Sequence, residues 1–332
     1  MKKTHIYLTL LSIFTLLTGC NDSLVEELYK KMVSFKAPIN YNEVSRIHLK
    51  YDDTEISYKL PVIVSGSKDN KKNINVKIAV DQDTLAILNE EKYANRTDLH
   101  YRQLPDEFYE LSSDICHIPS GSNKELFTIN FNLEGLDLVE KWVLPLTIVD
   151  DPSYETNKRK GWRKALLHII PFNDYSGPYT ATGMTIYYGD ETDQSMNVAT
   201  RTTRVVNENT IFFYAGITEE ESINRGIYKI FASFSEPIQK EENRWEGTLD
   251  VYAENENINF RLTTNPTYEI REEMDATIPY LLHRYITLSM GYTYEDITLI
   301  EDFPLKYRCN GSMIMERKIN TLIPDEDQAI QW

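Results

Sequence analysis

Cysteine is scarce in this chain of 332 residues, and its scarcity limits how the fold can be stabilised. The three cysteines are Cys20, Cys116 and Cys309. Cys116 and Cys309 are far apart in sequence, whereas a disulfide needs Cα atoms within about 7 Å of each other. We therefore expect both to be small buried residues in different domains. Hydrophobic cores, and not a disulfide framework, should then hold the fold together.

Positive charge is also in short supply. The chain has 35 Lys and Arg against 51 Asp and Glu, which gives a formal net charge of −16 at pH 7. No basic stripe offsets this excess. Because phosphate backbones are bound through clustered Lys and Arg, nucleic acid is excluded as a partner, and anionic polymers are poor candidates.

The motifs of common catalytic and metal sites are missing as well. The sequence contains no His-Glu-x-x-His, no Gly-x-Ser-x-Gly and no glycine-rich phosphate loop. The acidic loop at residues 190–193 lacks the complete ligand and glycine pattern of a calcium loop. Close carboxylate pairs such as Asp150 and Asp151 are typical of a solvated acidic surface. The sequence therefore predicts no cofactor, no bound metal and no enzymatic activity.

Long apolar runs are absent except near the N terminus. Residues 6–17 are mostly apolar, follow Lys2 and Lys3, and are followed by Leu17-Thr18-Gly19-Cys20. This order resembles a bacterial lipoprotein signal, which implies cleavage after Gly19 and lipidation of Cys20. An uncleaved membrane helix is the alternative, but it would need about 20 apolar residues. We expect residues 1–20 to be the signal and Cys20 to anchor the chain in outer-membrane lipid.

Alternation of apolar and polar residues dominates the rest of the chain. Residues 21–40 lack it and are predicted to be a flexible tether. Between residues 41 and 151, period-two segments separated by turn signals predict antiparallel strands in an immunoglobulin-like β-sandwich. A helix over residues 84–93 is the one interruption. The polar stretch that follows predicts a linker at residues 152–175.

A second series of alternating segments fills residues 176–332 and predicts another all-β domain. About eight strands joined by short polar turns favour an up-and-down antiparallel β-barrel, with a second sandwich as the alternative. The predicted strands span residues 179–188, 197–206, 210–215, 227–234, 245–253, 258–263, 285–294 and 305–319.

Several short motifs carry a resemblance to a known family. They are Tyr58-Lys59-Leu60-Pro61-Val62, Ile118-Pro119-Ser120-Gly121, Phe172-Asn173-Asp174-Tyr175-Ser176-Gly177 and the C-terminal tail ending in Trp332. The chain resembles lipoproteins encoded with Sus-type glycan-uptake systems of Bacteroides-type bacteria. Their N-terminal domain also precedes glycoside-hydrolase domains of the endo-β-N-acetylglucosaminidase type, and the Gly177-x-Tyr179 start of the second domain resembles a lipocalin-like barrel.

This resemblance implies a non-catalytic lipoprotein that captures oligosaccharides or polysaccharides for an uptake complex, in contact with a Sus-type transporter. The Asp-x-x-Asp-x-Asp-x-Glu motif of the related endoglycosidases is missing from this chain. Acidic residues at positions 22, 26 and 27 partly match the surface-export signal of such bacteria. We therefore expect a lipid-anchored protein of the outer membrane that faces the cell surface, with the periplasmic face as the alternative.

Aromatic and carboxamide side chains suggest where a glycan would bind, because sugar rings stack on flat aromatic faces. The predicted glycan-binding residues share strand-end or loop positions in the second domain. They are Trp245, Tyr187, Tyr188, Tyr292, Tyr294 and Asn257. Core packing is the alternative for each aromatic residue, and a turn role is the alternative for Asn257. Trp332 either caps the barrel or lies free.

Two other functions remain open at this level. A structural or adhesive spacer would bind no sugar, and would instead show a protein partner and an exposed apolar patch. An enzyme with an unfamiliar site would show a deep cleft with two convergent carboxylates.

Overall fold

The structure is a computed structural model that describes residues 29–37, 44–52, 54–190, 194–300 and 302–332. The predicted lipidation at Cys20 and residues 21–28 and 38–40 of the predicted tether lie outside the described residues, as does most of the acidic loop at 190–193. The tether prediction is wrong for Met32–Phe35, which form a strand whose Val33 and Phe35 are buried in the core of the first domain. Within the described ranges, no helix combines the length and the apolarity needed to cross a membrane.

The described residues of the first part of the chain form ten strands. In chain order they are β1 (Met32–Phe35), β2 (Ser45–Lys50), β3 (Ile56–Ser65), β4 (Ile74–Val80), β5 (Tyr101–Gln103), β6 (Tyr109–Leu111), β7 (Ile115–Ile118), β8 (Lys124–Phe131), β9 (Lys141–Ile148) and β10 (Lys164–Phe172). One sheet has the order β1-β3-β8-β6, and the other has the order β2-β10-β9-β4-β7 with β5 beside β9.

The two sheets form a β-sandwich, which confirms the predicted fold of this domain. Period-two alternation turns one face of each strand inward. Leu60, Val62 and Ile129 from one sheet and Val76 and Leu146 from the other belong to a single buried cluster. Cys116 is also part of this cluster and is a free thiol.

A helix follows β4, close to the residues 84–93 for which the sequence predicts one. Helix α1 (Gln82–Tyr93) begins at Asp81, whose carboxylate accepts hydrogen bonds from the backbone N–H groups of Asp83 and Thr84. Lys164 of β10 forms an ion pair with Asp81 at 2.8 Å. The start of the helix is therefore fixed both by a helix cap and by a neighbouring strand.

Strand β10 differs from the sequence prediction, because it lies within residues 152–175, the predicted linker. It pairs in parallel with β2 and antiparallel with β9, in the interior of its sheet. The charged residues just before it, at positions 150–161, resemble a domain boundary. The strand itself is nearly continuously apolar, which is typical of a strand buried on both faces. The sandwich therefore continues to Phe172.

In the second part of the chain, the residues that the structure describes form thirteen strands. They are β11 (Gly177–Thr180), β12 (Met184–Tyr188), β13 (Ser195–Met196), β14 (Thr200–Asn207), β15 (Thr210–Tyr214), β16 (Lys229–Phe234), β17 (Ile238–Glu241), β18 (Arg244–Tyr252), β19 (Arg261–Leu262), β20 (Thr267–Met274), β21 (Leu281–Asp296), β22 (Leu305–Asn320) and β23 (Ile330–Gln331). Short helices occur in both parts of the chain. The first part has α2 (Lys160–Arg163) and 3-10 turns at Thr97–Leu99 and Asp106–Phe108. The second part has α3 (Glu326–Ala329) and 3-10 turns at Arg225–Tyr228 and Glu256–Ile258.

Eight of these strands close into an antiparallel barrel, as the alternation predicts; the alternative of a second sandwich is wrong. The ring runs β11-β14-β15-β16-β18-β20-β21-β22, and β22 pairs back to β11 at Ile314 and Thr180. The interior is filled by buried side chains that include Tyr179, Phe213, Leu288 and Cys309. The barrel therefore has a packed core. Cys309 is a free buried thiol, so the two cysteines lie in different cores, as expected.

One barrel strand differs from the prediction. The segment at residues 258–263 contributes only a 3-10 turn and the two-residue strand β19, with Asn259 in the left-handed conformation between them. The barrel strand is instead β20, in which Tyr268 is buried. Four charged residues among the eight of β20 hide its alternation. They stay outside the core, and Arg244 pairs with Glu269 there at 2.7 Å.

The two domains are packed against each other. Val205 of β14 belongs to the sandwich core, and Leu138 and Val139 of the sandwich pack on Phe212 of the barrel. Buried Arg225 donates hydrogen bonds to the main-chain oxygens of Asp98 and Val139, at 2.9 and 3.3 Å. These contacts fix the position of the barrel beside the sandwich sheet formed by β2, β10 and β9.

Candidate functional site

A cleft of about 530 Å³ opens where the two domains meet, and we call it the interdomain cleft. On the sandwich side it is lined by the outward face of β2, β9 and β10 and by the end of α1. On the barrel side it is lined by β14 and residues 220–225. Its main side chains are Arg46, His48, Lys92, Tyr93, Tyr101, Glu140, Lys141, His168, Arg204, Glu220, Glu221, Arg225 and Trp332.

The C-terminal residue Trp332 forms one wall of the cleft. Its ring stacks on the imidazole of His48 with a centroid separation of 3.9 Å and an interplanar angle of 5°, and it meets Phe172 edge-on at 4.7 Å. Burial, assisted by the positive charge of Arg46, lowers the pKa of His48 to about 4. His48 is therefore neutral at pH 7, and Trp332, which is 54% exposed, offers a flat apolar surface.

Short elements at the end of the chain position Trp332. Helix α3 is capped by the carboxylate of Asp325, and β23 pairs with β22 through Ile330 and Ile319. Arg284 forms an ion pair with Glu326 at 2.5 Å. Because β23 ends at Gln331, its pairing with β22 places the next residue, Trp332, against β2.

Two tyrosines and a lysine form another part of the cleft lining. Tyr93 lies at the end of α1, and Tyr101 lies on β5, with ring centroids 5.9 Å apart. The ammonium of Lys141 is 4.7 Å from the centre of the Tyr93 ring and donates to the main-chain oxygen of Leu99 at 3.2 Å. Tyr93 is half-buried and Tyr101 is buried. Tyr93 is thus the ring of this pair that is open to a ligand.

Several buried polar atoms on the cleft residues have no hydrogen-bond partner among the described residues. They are Nδ1 of His168, Nη1 of Arg204 and Oε1 of Glu220. Arg204 and Glu220 are joined through their other atoms by an ion pair. Burial, reinforced by neighbouring cations, lowers the pKa of His168 to about 3 and keeps its ring neutral. Buried polar atoms are nearly always hydrogen-bonded, so each of these three leaves a hydrogen-bonding requirement that the described residues do not meet.

The structure contradicts the sequence prediction for Tyr292 and Tyr294. Both lie on one face of β21, as period two requires, but that face is the barrel interior, where the two residues are 2% and 0% exposed. Their hydroxyl oxygens accept hydrogen bonds from the backbone N–H groups of Gly216 and Ile217, at 3.1 and 3.3 Å. Core packing, the alternative interpretation, is therefore correct for these two rings.

The remaining predicted residues are spread over the barrel. Tyr187 lies with its ring centre 5.1 Å from the Arg308 guanidinium, and Tyr188 is exposed and packs edge-on against Tyr307 at 5.8 Å. Trp245 lies on β18, is half-buried and pairs with Ile270 of β20. In the barrel, β20 and β21 lie between β18 and β22.

Asn257 lies exposed in the 3-10 turn Glu256–Ile258. The structure does not bring Tyr187, Tyr188, Trp245 and Asn257 into one site, and none of them lines the interdomain cleft. Their role as glycan-binding residues stays a prediction.

Sequence reasoning missed the cleft because its residues come from distant segments. Arg46 and His48 alternate with buried Ile47 and Leu49, and this pattern indicates only the polar face of a strand. Trp332 was the one cleft residue with a recognisable signal, an unassigned large aromatic side chain. No cluster of three or more potential metal ligands occurs within the described ranges.

Comparison with protein families gives two matches that together span most of the chain. A model described as a domain of unknown function (DUF4973) matches residues 24–152, and one described as a C-terminal domain matches residues 163–314. None of the curated proteins compared with the chain matches it.

Solved structures from Bacteroides species share the complete two-domain architecture. A multidomain protein including DUF1735 from Bacteroides ovatus is 42% identical, with a TM-score of 0.80 over 90% of this chain and 99% of that one. An auxiliary nutrient binding protein from Bacteroides thetaiotaomicron is 35% identical, with a TM-score of 0.78 over 88% and 97%. A protein of unknown function from Bacteroides ovatus is 32% identical, with a TM-score of 0.79 over 93% and 97%.

Proposed function

This chain belongs to the family of two-domain Bacteroides proteins that includes the DUF1735-containing protein of Bacteroides ovatus, and on that premise we propose that it is a non-catalytic glycan-binding lipoprotein. The glycan binds in the interdomain cleft and is handed to a Sus-type outer-membrane uptake system. A relative described as an auxiliary nutrient binding protein supports this role at the level of the whole chain.

One observation carries the choice of site. The interdomain cleft combines accessible rings of Trp332 and Tyr93 with buried polar atoms that have no partner among the described residues. Saccharides present C–H faces and a rim of hydroxyl groups, so they need both kinds of surface. The cleft volume also falls within the range of about 300–1,000 Å³ that is typical of small-ligand sites.

The ion pairs of the cleft carboxylates support a binding role over hydrolysis. Glu140 is bonded to Arg102 at 3.2 Å, and Glu220 is paired with Arg204. A glycosidase needs two carboxyl groups facing each other across a sugar at about 5–10 Å. Two of the three acidic residues at the cleft are instead engaged by arginines.

A glycan-array screen of the purified protein tests the proposal. The Tyr93→Ala variant should lose binding, because the ring that a sugar would contact is removed. Tyr188→Ala is the matched control, since Tyr188 is an exposed tyrosine outside the cleft. Loss of binding in Tyr188→Ala with retention in Tyr93→Ala would move the site to β12, and no hit on any glycan would refute the function.

Lipidation and location are further parts of the proposal. Cells that express the protein should incorporate a labelled fatty acid into it, and Cys20→Ala should abolish the label. Protease added to intact cells should degrade the protein if it faces the cell surface. Protection from protease in intact but not in lysed cells would place it on the periplasmic face.

A docking role is the second candidate, and one exposed apolar loop favours it. Leu299, Ile300 and Phe303, in the loop between β21 and β22, are 62%, 48% and 59% exposed. Exposed apolar groups of this kind are typical of protein contacts. If the protein is mainly a docking module, a Leu299→Ser/Phe303→Ser variant will lose a cross-linked partner while the array shows no sugar binding for either form.

A further inference from the structure

The interdomain cleft has a local charge opposite to that of the whole molecule. Five cationic side chains line it, against three carboxylates, although the chain as a whole carries −16. Glu140 is bonded to Arg102, which is outside the cleft, and Glu220 to Arg204. Glu221 alone among the cleft carboxylates has no ion pair within the described ranges. The cleft therefore keeps an excess of positive charge.

Arg225 is the most deeply buried of these cations, at 4% exposure. Its guanidinium donates to main-chain oxygens of Asp98, Val139 and Ser222, at 2.9, 3.3 and 3.2 Å. No carboxylate pairs with it in the described part of the chain. The carboxylate of Asp98 interacts with Arg225 electrostatically without forming an ion pair, so Arg225 still adds positive charge to the cleft.

Lys141 is another cation of the cleft, and the neighbouring charges affect its pKa. Burial lowers the pKa of Lys141, the charges of Arg225, Lys92 and Arg204 lower it further, and Glu221 opposes them. The ammonium bonds only to neutral oxygens, those of Leu99 and Tyr93, at 3.2 and 3.4 Å. An anion beside Lys141 would relieve the repulsion among these cations.

A second cavity of about 460 Å³ adjoins this charged corner. It shares Val139, Glu140 and Arg225 with the interdomain cleft, so Arg225 lies between the two spaces. A chain of sugar units therefore has room on both sides of the cationic group.

We propose that the interdomain cleft binds an acidic oligosaccharide, with an anionic ring substituent (carboxylate or sulfate) at Lys141 and Arg225 and a sugar ring beside Tyr93. This inference rests on the proposed glycan-binding function and adds the chemical class of the ligand. Arg204 contributes its unpartnered Nη1 as a further donor. The acidic outer surface repels long anionic polymers, which selects for short oligosaccharides that fit within the cleft.

Calorimetric titration with three oligosaccharides of equal length tests the inference. The probes are an oligogalacturonide, a carrageenan oligosaccharide, which carries sulfate but no carboxylate, and a neutral galacto-oligosaccharide. At least one acidic probe should bind more tightly than the neutral one, and its affinity should fall as salt rises. Tighter binding of the oligogalacturonide assigns the substituent as a carboxylate, and tighter binding of the carrageenan oligosaccharide assigns it as a sulfate.

The Lys141→Gln variant should weaken binding of the acidic probe by about tenfold or more, since a hydrogen bond to a charged group is lost. Lys141→Arg should retain most of the affinity. Lys306→Gln removes an exposed lysine of β22 that does not line the cleft, and should bind like the wild type. Thermal unfolding of each variant identifies any that fail to fold.

The outcomes separate this inference from the proposed function. Equal or tighter binding of the neutral probe, unchanged by Lys141→Gln but lost in Tyr93→Ala, would overturn the acidic ligand and keep glycan binding. Absence of binding to every glycan would overturn both.

Discussion

The imidazole of His48 and the indole of Trp332 lie in parallel planes 3.9 Å apart, which joins the second strand of the sandwich to the last residue of the chain. The contact extends the barrel across the domain junction and forms one wall of the interdomain cleft. A single residue at the C terminus thereby contributes both to domain packing and to the candidate site.

Replacing Trp332 with Ala should weaken glycan binding and slightly lower the stability of the protein. The stacked pair contributes about 0.5–1.5 kcal/mol beyond its buried area. Calorimetric titration with a bound glycan and urea unfolding measure the two effects. Trp162→Ala is the control, because Trp162 is also partly exposed but lies away from the cleft. Equal loss of binding in both variants would contradict a specific role for Trp332.

Replacing Tyr292 with Phe should lower stability and leave glycan binding unchanged. The substitution removes the hydroxyl that accepts from the backbone N–H of Gly216 at 3.1 Å inside the barrel. A lost buried hydrogen bond costs about 1–3 kcal/mol when the donor stays unsatisfied. Urea unfolding and the glycan array measure the two quantities. A selective loss of binding with unchanged stability would restore Tyr292 as a ligand contact.

Replacing Asp81 with Ala should destabilise the sandwich by about 1–2 kcal/mol, because the cap of α1 is lost. The ion pair with Lys164 disappears with it. Asp81→Asn keeps a capping oxygen and removes the charge, so it should cost less. Burial raises the pKa of Asp81, but hydrogen bonds from Lys164 and Thr84 outweigh it and lower the pKa overall. The carboxylate therefore stabilises the fold above about pH 4, its unfolded pKa, and this contribution fades as pH falls through the lower folded pKa. Equal unfolding midpoints for the two variants would contradict the capping role.

The stability of the protein should decrease as pH falls from about 6.5 to about 4. His48 and His168 have folded pKa values of about 4 and about 3, below the unfolded value of about 6.5. In that window the unfolded state binds more protons than the folded state, so acid favours unfolding. Urea unfolding at pH 7 and pH 5 measures the difference, and His168→Gln should reduce it.

The pKa of His283 shifts in the opposite direction from those of His48 and His168, so His283 provides a control. Its hydrogen bond to Glu316, and another to Asp275, raise its pKa. Its contribution is therefore fully present below about pH 6.5 and is lost as pH rises through the folded pKa. His283→Gln should leave the loss of stability between pH 6.5 and pH 4 unchanged. A variant that abolishes this loss would assign the acid sensitivity to His283 and not to the cleft histidines.

The fold was largely predictable because alternation is a local property of the sequence. Segments such as β3 and β8 show their buried faces directly, and the hairpin order from β14 to β22 follows from short turns. Strand β10 was missed because its nearly continuous apolar run follows a charged stretch. Strand β20 was missed because four of its eight residues are charged and none of the four belongs to the barrel core, where Tyr268 and Ile270 pack.

The candidate site was much less predictable. Period two shows that Tyr292 and Tyr294 share a face, but it does not distinguish the inside of a barrel from its outside. The cleft joins β2, α1, β9, β14 and the last residue, which no sequence pattern connects. Such a site depends on how two finished domains pack, and that information is spread over contacts such as Arg225 with Asp98.

The position of strand β10 also limits where such proteins could exchange domains by recombination. The sandwich is complete only when residues up to Phe172 are present, and the barrel begins at Gly177. A recombination joint placed in the polar stretch near residue 152 would separate a sheet from an interior strand. The viable joint is the short segment 173–176, where a new C-terminal module could be attached behind an intact first module. The same short spacing leaves an incoming module little freedom of orientation, so only partners that fit against residues 138–139 would be retained.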